Sequence, residues 1–257
     1  MSRPAAAYCG PVEPIRRVAP PLPGRAVLAQ DWVRVTFLHW RVPADVVAPL
    51  LPPNTRPDEF DGTSWVGLVA FQVPRTSLVP GPVLPYVGEY PEINVRLYTV
   101  DDEGRRAVLF LSLEASRVLT VLTARATVHV PYQWARMSIR RDGDALAYRS
   151  ARLTGDRSSS HLVVRPSSEP VADDPLADFL TARWALHTRL WGRTRYLRME
   201  HEPWPLRRAS LVSLDDELVA AAGLAGVATR PPDSVLYSPG VHARFAGTVR
   251  PAARAGS

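Results

Sequence analysis

The chain has 257 residues, 46% of them hydrophobic, enough to bury a sizeable core in a single domain. A formal charge of +6 and a pI near 10 permit attraction to nucleic acid or a membrane surface, yet all 31 basic residues are arginine, so the arginine excess reflects composition more than function. A single cysteine, Cys9, excludes an internal disulfide, and no run of about 18 apolar residues offers a transmembrane helix. Without the apolar core of a secretion signal near its start, the protein is expected to be cytoplasmic.

Residues 1–25 are rich in Pro and Arg and read as a flexible segment, residues 26–248 as one folded domain, and residues 249–257 as a flexible tail. "DWVRVTFLHWRV" (31–42) predicts a strand with Val33, Val35, Phe37 and His39 on one face and Trp32 and Arg34 on the other. "PADVVAPLLPPN" predicts a short helix stopped at Pro52 and Pro53. Asp61-Gly62 forms a turn signal ahead of an apolar strand, Ser64 to Val73. Residues 91–99 predict another strand, followed by a turn over Asp101 to Gly104 and a strand, Ala107 to Leu113, that is apolar on both faces and therefore buried on both.

Further on, "ASRVLTVLTARATV" (115–128) has helical spacing, and "PYQWARMSIRRDGDALAYRSARL" reads as strand, Asp-Gly turn, strand. "DDPLADFLTARWALHTRLWG" (173–192) predicts one helix with an Asp cap, Pro175 in its first turn, a stripe of Leu176, Phe179, Leu180, Trp184 and His187, and Gly192 at its end. Two strand-like pieces, a small helix in "DDELVAAAGLA" and an extended segment ending "LYSPGVHARF" complete the chain. Many strands and few helices indicate a mainly β protein.

The strand at 91–99 carries the functional question. Alternation turns Ile93, Val95, Leu97 and Thr99 to one side and Glu92, Asn94, Arg96 and Tyr98 to the other. Such a polar face meets either water or a pocket, and a doubly apolar neighbour makes an enclosed polar interior easier to sustain. Asn94 is one of only two asparagines, in a setting where asparagine is depleted. Glu92 and Arg96 stand about 13 Å apart along the strand, too far for direct pairing. Arg96 would then grip a ligand carboxylate with its planar fork or pair with Glu114. A buried Glu92 would act as a general acid or base, or satisfy an arginine such as Arg125. Pocket and structural ion-pair network are both consistent with this row.

The pieces "FLHWRVP", "FDGTSWVGLVAFQV", "EINVRLYTV", "FLSLEA", "TARATVHVPYQWARM", "HEPWPL" and "YSPGVHARF", in that order, resemble the YqjF-like domain-of-unknown-function family. Through it the chain is similar to the acetoacetate decarboxylase-like superfamily. That resemblance implies a single-domain antiparallel cone-shaped β-barrel with a few peripheral helices around a small-molecule pocket, into which Glu92 and Arg96 face. The superfamily's Schiff-base decarboxylation needs a lysine amine, and this chain has no lysine, so that chemistry is excluded.

The expected function is therefore to bind a small organic molecule, anionic or carbonyl-bearing, with Glu92 as the candidate catalytic group. Arg96, Asn94, Tyr98, His39, Glu114 and Arg125 are the candidate ligand-binding residues. The enzymatic version is non-covalent acid–base chemistry of a lyase or isomerase kind; the alternative is a noncatalytic binding or sensing module. For His39, on an apolar face between aromatic residues, a core role is the commoner explanation. No HxH, HExxH or CxxC spacing supports a metal, no Gly-rich loop supports a phosphate, and no cofactor is expected. The Arg/Trp interleaving over 183–198 offers a nucleic-acid reading, disfavoured because Trp184 belongs to an apolar stripe. Besides the ligand, the partners expected are no membrane and no nucleic acid, with a homo-oligomer compatible.

Overall fold

The computed structural model describes residues 11–84, 88–117, 130–190 and 192–247, with the backbone continuing to 251. Its long strands are β1 (Ala26–Val42), the short β2 (Thr55–Pro57), β3 (Ser64–Leu78), β4 (Tyr90–Asp101) and β5 (Arg106–Ala115). β6 (Tyr132–Asp142), β7 (Ala145–Arg152) and β8 (Ser159–Pro170) follow, then β9 (Ala185–Leu190), β10 (Arg193–Glu200), β11 (Arg207–Asp216) and β12 (Ser234–Pro251). The helices are short: α1 (Ala44–Val47), α2 (Pro175–Thr181) and α3 (Leu218–Ala221). The predicted helix over 115–128 and the candidate Arg125 lie outside the described residues.

All twelve strands belong to one sheet, which closes on itself twice. β5, β4, β3, β1, β12, β10 and β9 pair in succession, and β9 returns to β5 in parallel. A second circuit leaves β5 through β6, β7, β8 and β11 to reach β12. The strands β12, β1, β3, β4 and β5 are therefore a partition common to two rings, with both faces buried. One face carries Phe37, Val69, Phe71, Tyr90 and Tyr98, the other Leu38, Trp40, Leu68, Ile93 and Leu97, each set in its own apolar cluster. Such strands must be apolar on both sides, which is how β3 and β5 read.

The start of β3 is set by Asp61 (φ 52°) and Gly62 (φ 71°), the two left-handed positions that a type I′ turn demands. β1 is less regular than its sequence suggests. Its register with β3 shifts between Asp31 and Val33 and again before Thr36, and Arg34 takes φ 54°. This irregularity brings Trp32 to the same face as Val35 and Phe37, where simple alternation had placed it opposite.

The predicted helix over 173–192 is corrected. α2 keeps its Asp174 cap, with Asp174 Oδ1 accepting from Ala177 N at 3.0 Å, but ends at Thr181. The residues that follow are strand β9, and Gly192 (φ 73°) lies in the β9–β10 connection rather than capping a helix. The segment "RWALHTRL" satisfies both periods, and the sheet decides between them: without β9 the first ring would stand open between β5 and β10. Trp184 and Tyr196 are buried and Arg183 is almost wholly so, so these members of the Arg/Trp stretch face inward. Strand β8 carries no clear sequence signal, because "SSHLVVRPSSEP" is interrupted by Pro166 and ends in polar residues. Among the described residues no helix is long and apolar enough to cross a membrane.

Candidate functional site

The first ring encloses a cavity of about 480 Å³. β4 runs down one wall with its polar row turned inward: Glu92 and Asn94 are buried, and both line the cavity with Arg96. The apolar face of β4 packs into the second ring, so the alternation that raised the question of solvent or pocket has interior on both sides.

Near the entrance the row begins with Tyr90, whose hydroxyl accepts from Gln30 Nε2 at 3.2 Å. Glu92 follows. Tyr132 OH donates to its Oε2 at 2.8 Å, and Asn94 Nδ2 makes a long 3.5 Å contact with Oε1. Burial pushes the Glu92 carboxyl up to about 7, against the opposing pull of those two hydrogen bonds, so both of its protonation states are accessible near neutrality. The Oδ1 of Asn94 is buried and has no partner among the described residues.

Arg96 sits at the floor. Its Nε donates to Tyr98 OH at 3.1 Å and its Nη2 to Leu180 O at 3.0 Å at the end of α2. None of the ion pairs among the described residues involves it. Arg183 also packs on Tyr98, its guanidinium 4.8 Å from the ring centroid. It donates from Nε to Phe179 O at 2.8 Å and from Nη1 to Asp58, which also receives Arg106. Two guanidiniums thus share one carboxylate, and Arg96 has none among the described residues. Gly67 makes room for this floor, because a Cβ there would stand 3.1 Å from the His39 ring and 3.2 Å from Arg96 Cγ.

The remaining walls are aromatic and aliphatic. Trp32 and Trp204 stack at 6.1 Å, and His201 packs edge-on to Trp204 at 4.7 Å. Burial drives the His201 imidazole down to about 4, so it is neutral at physiological pH. The cavity reaches the surface between Val27 and Leu78, which line it while remaining about half exposed (47% and 45%).

The candidates from sequence divide in three. Glu92, Asn94 and Arg96 come together on the cavity surface. Tyr98 and His39 are joined to each other at 2.7 Å and support Arg96 from behind without lining the cavity. Glu114 is a correction: it faces the second ring and pairs with Arg152 at 2.6 Å, not with Arg96. β5 skips Leu111 against β4, and this bulge puts Phe110 and Leu113 on the cavity and sends Glu114 to the other side. Tyr132, Arg183, His201 and Trp204 escaped the sequence reading because each reaches the cavity from an element remote from β4. Among the described residues no group of three or more His, Cys, Asp or Glu could hold a metal.

Comparison with known proteins places this geometry in a lineage. The model of the DUF2071 family, described as "Uncharacterized conserved protein (COG2071)", matches residues 29–242. "Uncharacterized protein YqjF" of Bacillus subtilis (strain 168) is 33% identical over 185 residues, covering 71% of this chain and 76% of that protein. Acetoacetate decarboxylase from Legionella pneumophila superposes with a TM-score of 0.61 at 12% identity, covering 90% of this chain and 92% of that one. The enduracididine biosynthesis enzyme MppR, complexed with pyruvate, superposes with a TM-score of 0.57 at 15% identity over 90% and 92%. At such identities the likeness is one of fold.

Proposed function

The chain belongs to the DUF2071 family, and from that membership and its acetoacetate decarboxylase-like fold we propose that it binds a small organic acid or carbonyl compound in the ring cavity, with Glu92 placed for acid–base chemistry. The observation that carries this reading is the polar row of β4, turned into an enclosed apolar space with a carboxyl above and, at the floor, a guanidinium that meets no carboxylate among the described residues. Arg96 supplies a charge-assisted grip on an anion, and desolvation in the cavity strengthens it. Glu92, held by Tyr132 and poised near neutrality, would give or take a proton at a carbon or oxygen next to the ligand's carbonyl. A protein of this fold has been captured with pyruvate, which agrees with an acid or carbonyl ligand.

Arg96→Lys keeps the charge and loses the fork, so calorimetric affinity for an organic acid should fall roughly tenfold or more. Glu92→Gln should bind nearly as well as the parent and lose turnover. Equal affinity of Arg96→Lys and parent, both shown folded by thermal melting, would return Arg96 to a structural role. Binding without turnover in the parent would make the protein a ligand-holding module.

No Schiff base can form on a lysine side chain, because the chain contains none. Treatment with acetoacetate or pyruvate and borohydride is expected to leave every peptide of the ring interior unmodified by mass spectrometry. A reduced adduct on any of them would disprove the acid–base scheme.

A further inference from the structure

The cavity has an order from surface to floor that specifies more than "a small anion". Its rim is apolar: Val27 and Leu78 line it and are exposed, and Leu84 adjoins them. Beneath the rim come the hydroxyl, amide and carboxyl of Tyr90, Gln30 and Glu92. About 13 Å further along β4, four residues on, stands Arg96. The register fixes this order independently. Leu28 pairs with Leu78 and Gln30 with Thr76 at the rim end, while at the far end Gly67 pairs with both His39 and Arg96.

Volume and charge agree with it. A cavity of about 480 Å³ falls in the range of about 300–1,000 Å³ that encloses ligands of drug size, well beyond a three- or four-carbon acid. At the floor, Arg183 and Arg106 share the single carboxylate of Asp58, and Arg96 meets no carboxylate among the described residues, so positive charge is left over there. The walls between floor and rim include Phe37, Phe71, Phe110, Leu197 and Met199, and among the described residues they have no charge other than Glu92 to meet a ligand's flank. An exposed apolar rim continuous with an apolar shaft is what a hydrocarbon chain needs in order to leave the site without entering water abruptly.

We infer that the ligand is a carboxylic acid with an extended apolar tail, its head on Arg96 and Arg183 at the floor, its middle passing Glu92, and its tail leaving between Val27 and Leu78. This rests on the floor being an anion site, as proposed above, and adds the tail, its path and its length. In an oxo or hydroxy acid of this kind the functional carbon several bonds from the carboxylate is the one brought to Glu92.

The test is calorimetry on the full chain with butyrate, octanoate, decanoate and hexadecanoate, and with 1-decanol as the uncharged control for decanoate. Affinity should rise roughly fourfold per added methylene, the value for burying one CH₂, and decanoate should bind at least tenfold more tightly than 1-decanol. Leu78→Asp, a change at an exposed position that leaves the core alone, should weaken hexadecanoate, whose chain is long enough to pass Glu92 and reach the rim, at least tenfold and leave butyrate unaffected. Chain-length-independent affinity, or a Leu78→Asp variant that binds hexadecanoate as the parent does, would overturn the tail assignment. If short and long acids bind alike and Arg96→Lys weakens both, only this inference falls. If no alkanoate binds the folded protein, or 1-decanol binds as well as decanoate, the anion floor falls with it.

Discussion

Asp58→Asn should destabilise the protein by about 3–5 kcal/mol, the loss typical of breaking a buried ion pair from one side. Asp58 is 3% exposed and Arg183 2%, and the carboxylate is the only acidic group paired with Arg183 and Arg106 among the described residues. Asparagine keeps the size and one acceptor but removes the charge. A guanidinium cannot escape by releasing its proton, as a buried lysine could, so Arg183 would remain charged and uncompensated in the ring. Urea unfolding of parent and variant measures the loss. The contrasting substitution is Glu169→Gln, which breaks the exposed pair with Arg208 and should change stability by less than about 1 kcal/mol. If the two variants differed little, Asp58 would be less enclosed than the fold implies.

The second large effect is a pH dependence with a definite sign. The Glu92 carboxyl moves from an ordinary value of 4.5 up to about 7 on folding, first because it is buried. A raised acid binds its proton more tightly in the fold than in the unfolded chain. Its contribution is therefore complete below about pH 4.5 and is lost as the pH rises through about 7. Between about 4.5 and about 7, at about 1.4 kcal/mol per pH unit, the loss comes to about 3–3.5 kcal/mol. Other buried groups titrate as well: His201, pushed down to about 4, destabilises in the opposite direction on acidification. The decisive quantity is therefore the difference between parent and Glu92→Gln. Measured by chemical unfolding from pH 4 to pH 8, that difference should swing toward the glutamine variant by about 3 kcal/mol as the pH rises. A flat difference would mean that water reaches Glu92 freely.

How much of this was legible in the sequence depended on whether the signal was local. The polar row of β4 could be read because alternation is a property of neighbours, and Asp61-Gly62 because a left-handed pair has few alternatives. The Asp174 cap and Pro175 likewise marked the start of α2, and its early end did not show because "RWALHTRL" suits helix and strand equally. Bulges at Arg34 and Leu111 have no residue signature, yet each reassigns everything beyond it, bringing Trp32 into the cavity and taking Glu114 out. The floor was the least legible part. Asp58 comes from a loop, Arg106 from β5 and Arg183 from the segment after α2, and they meet only because two rings close. The missing lysine, by contrast, could be read at once, and it leaves no side-chain amine for a Schiff base.

The partition common to the two rings also governs how the chain acquires its structure. β1 pairs with β3 on one side, a contact available soon after synthesis, but on the other side with β12, where Leu28 meets Phe245, 217 residues later. At about 5–20 residues per second, a ribosome leaves that edge of β1 unpaired for roughly 10–40 s. The parallel joins of β5 to β6 and β9 wait on long connections as well. The antiparallel run β1, β3, β4 and β5 is thus the only extensive part of the partition that can assemble early, and it does so with Ile93, Leu97, Leu68 and their neighbours uncovered on one face. Neither ring can close before the last strand is made, so nearly the whole chain folds as one late, non-local event, the slow regime for a sheet of this topology.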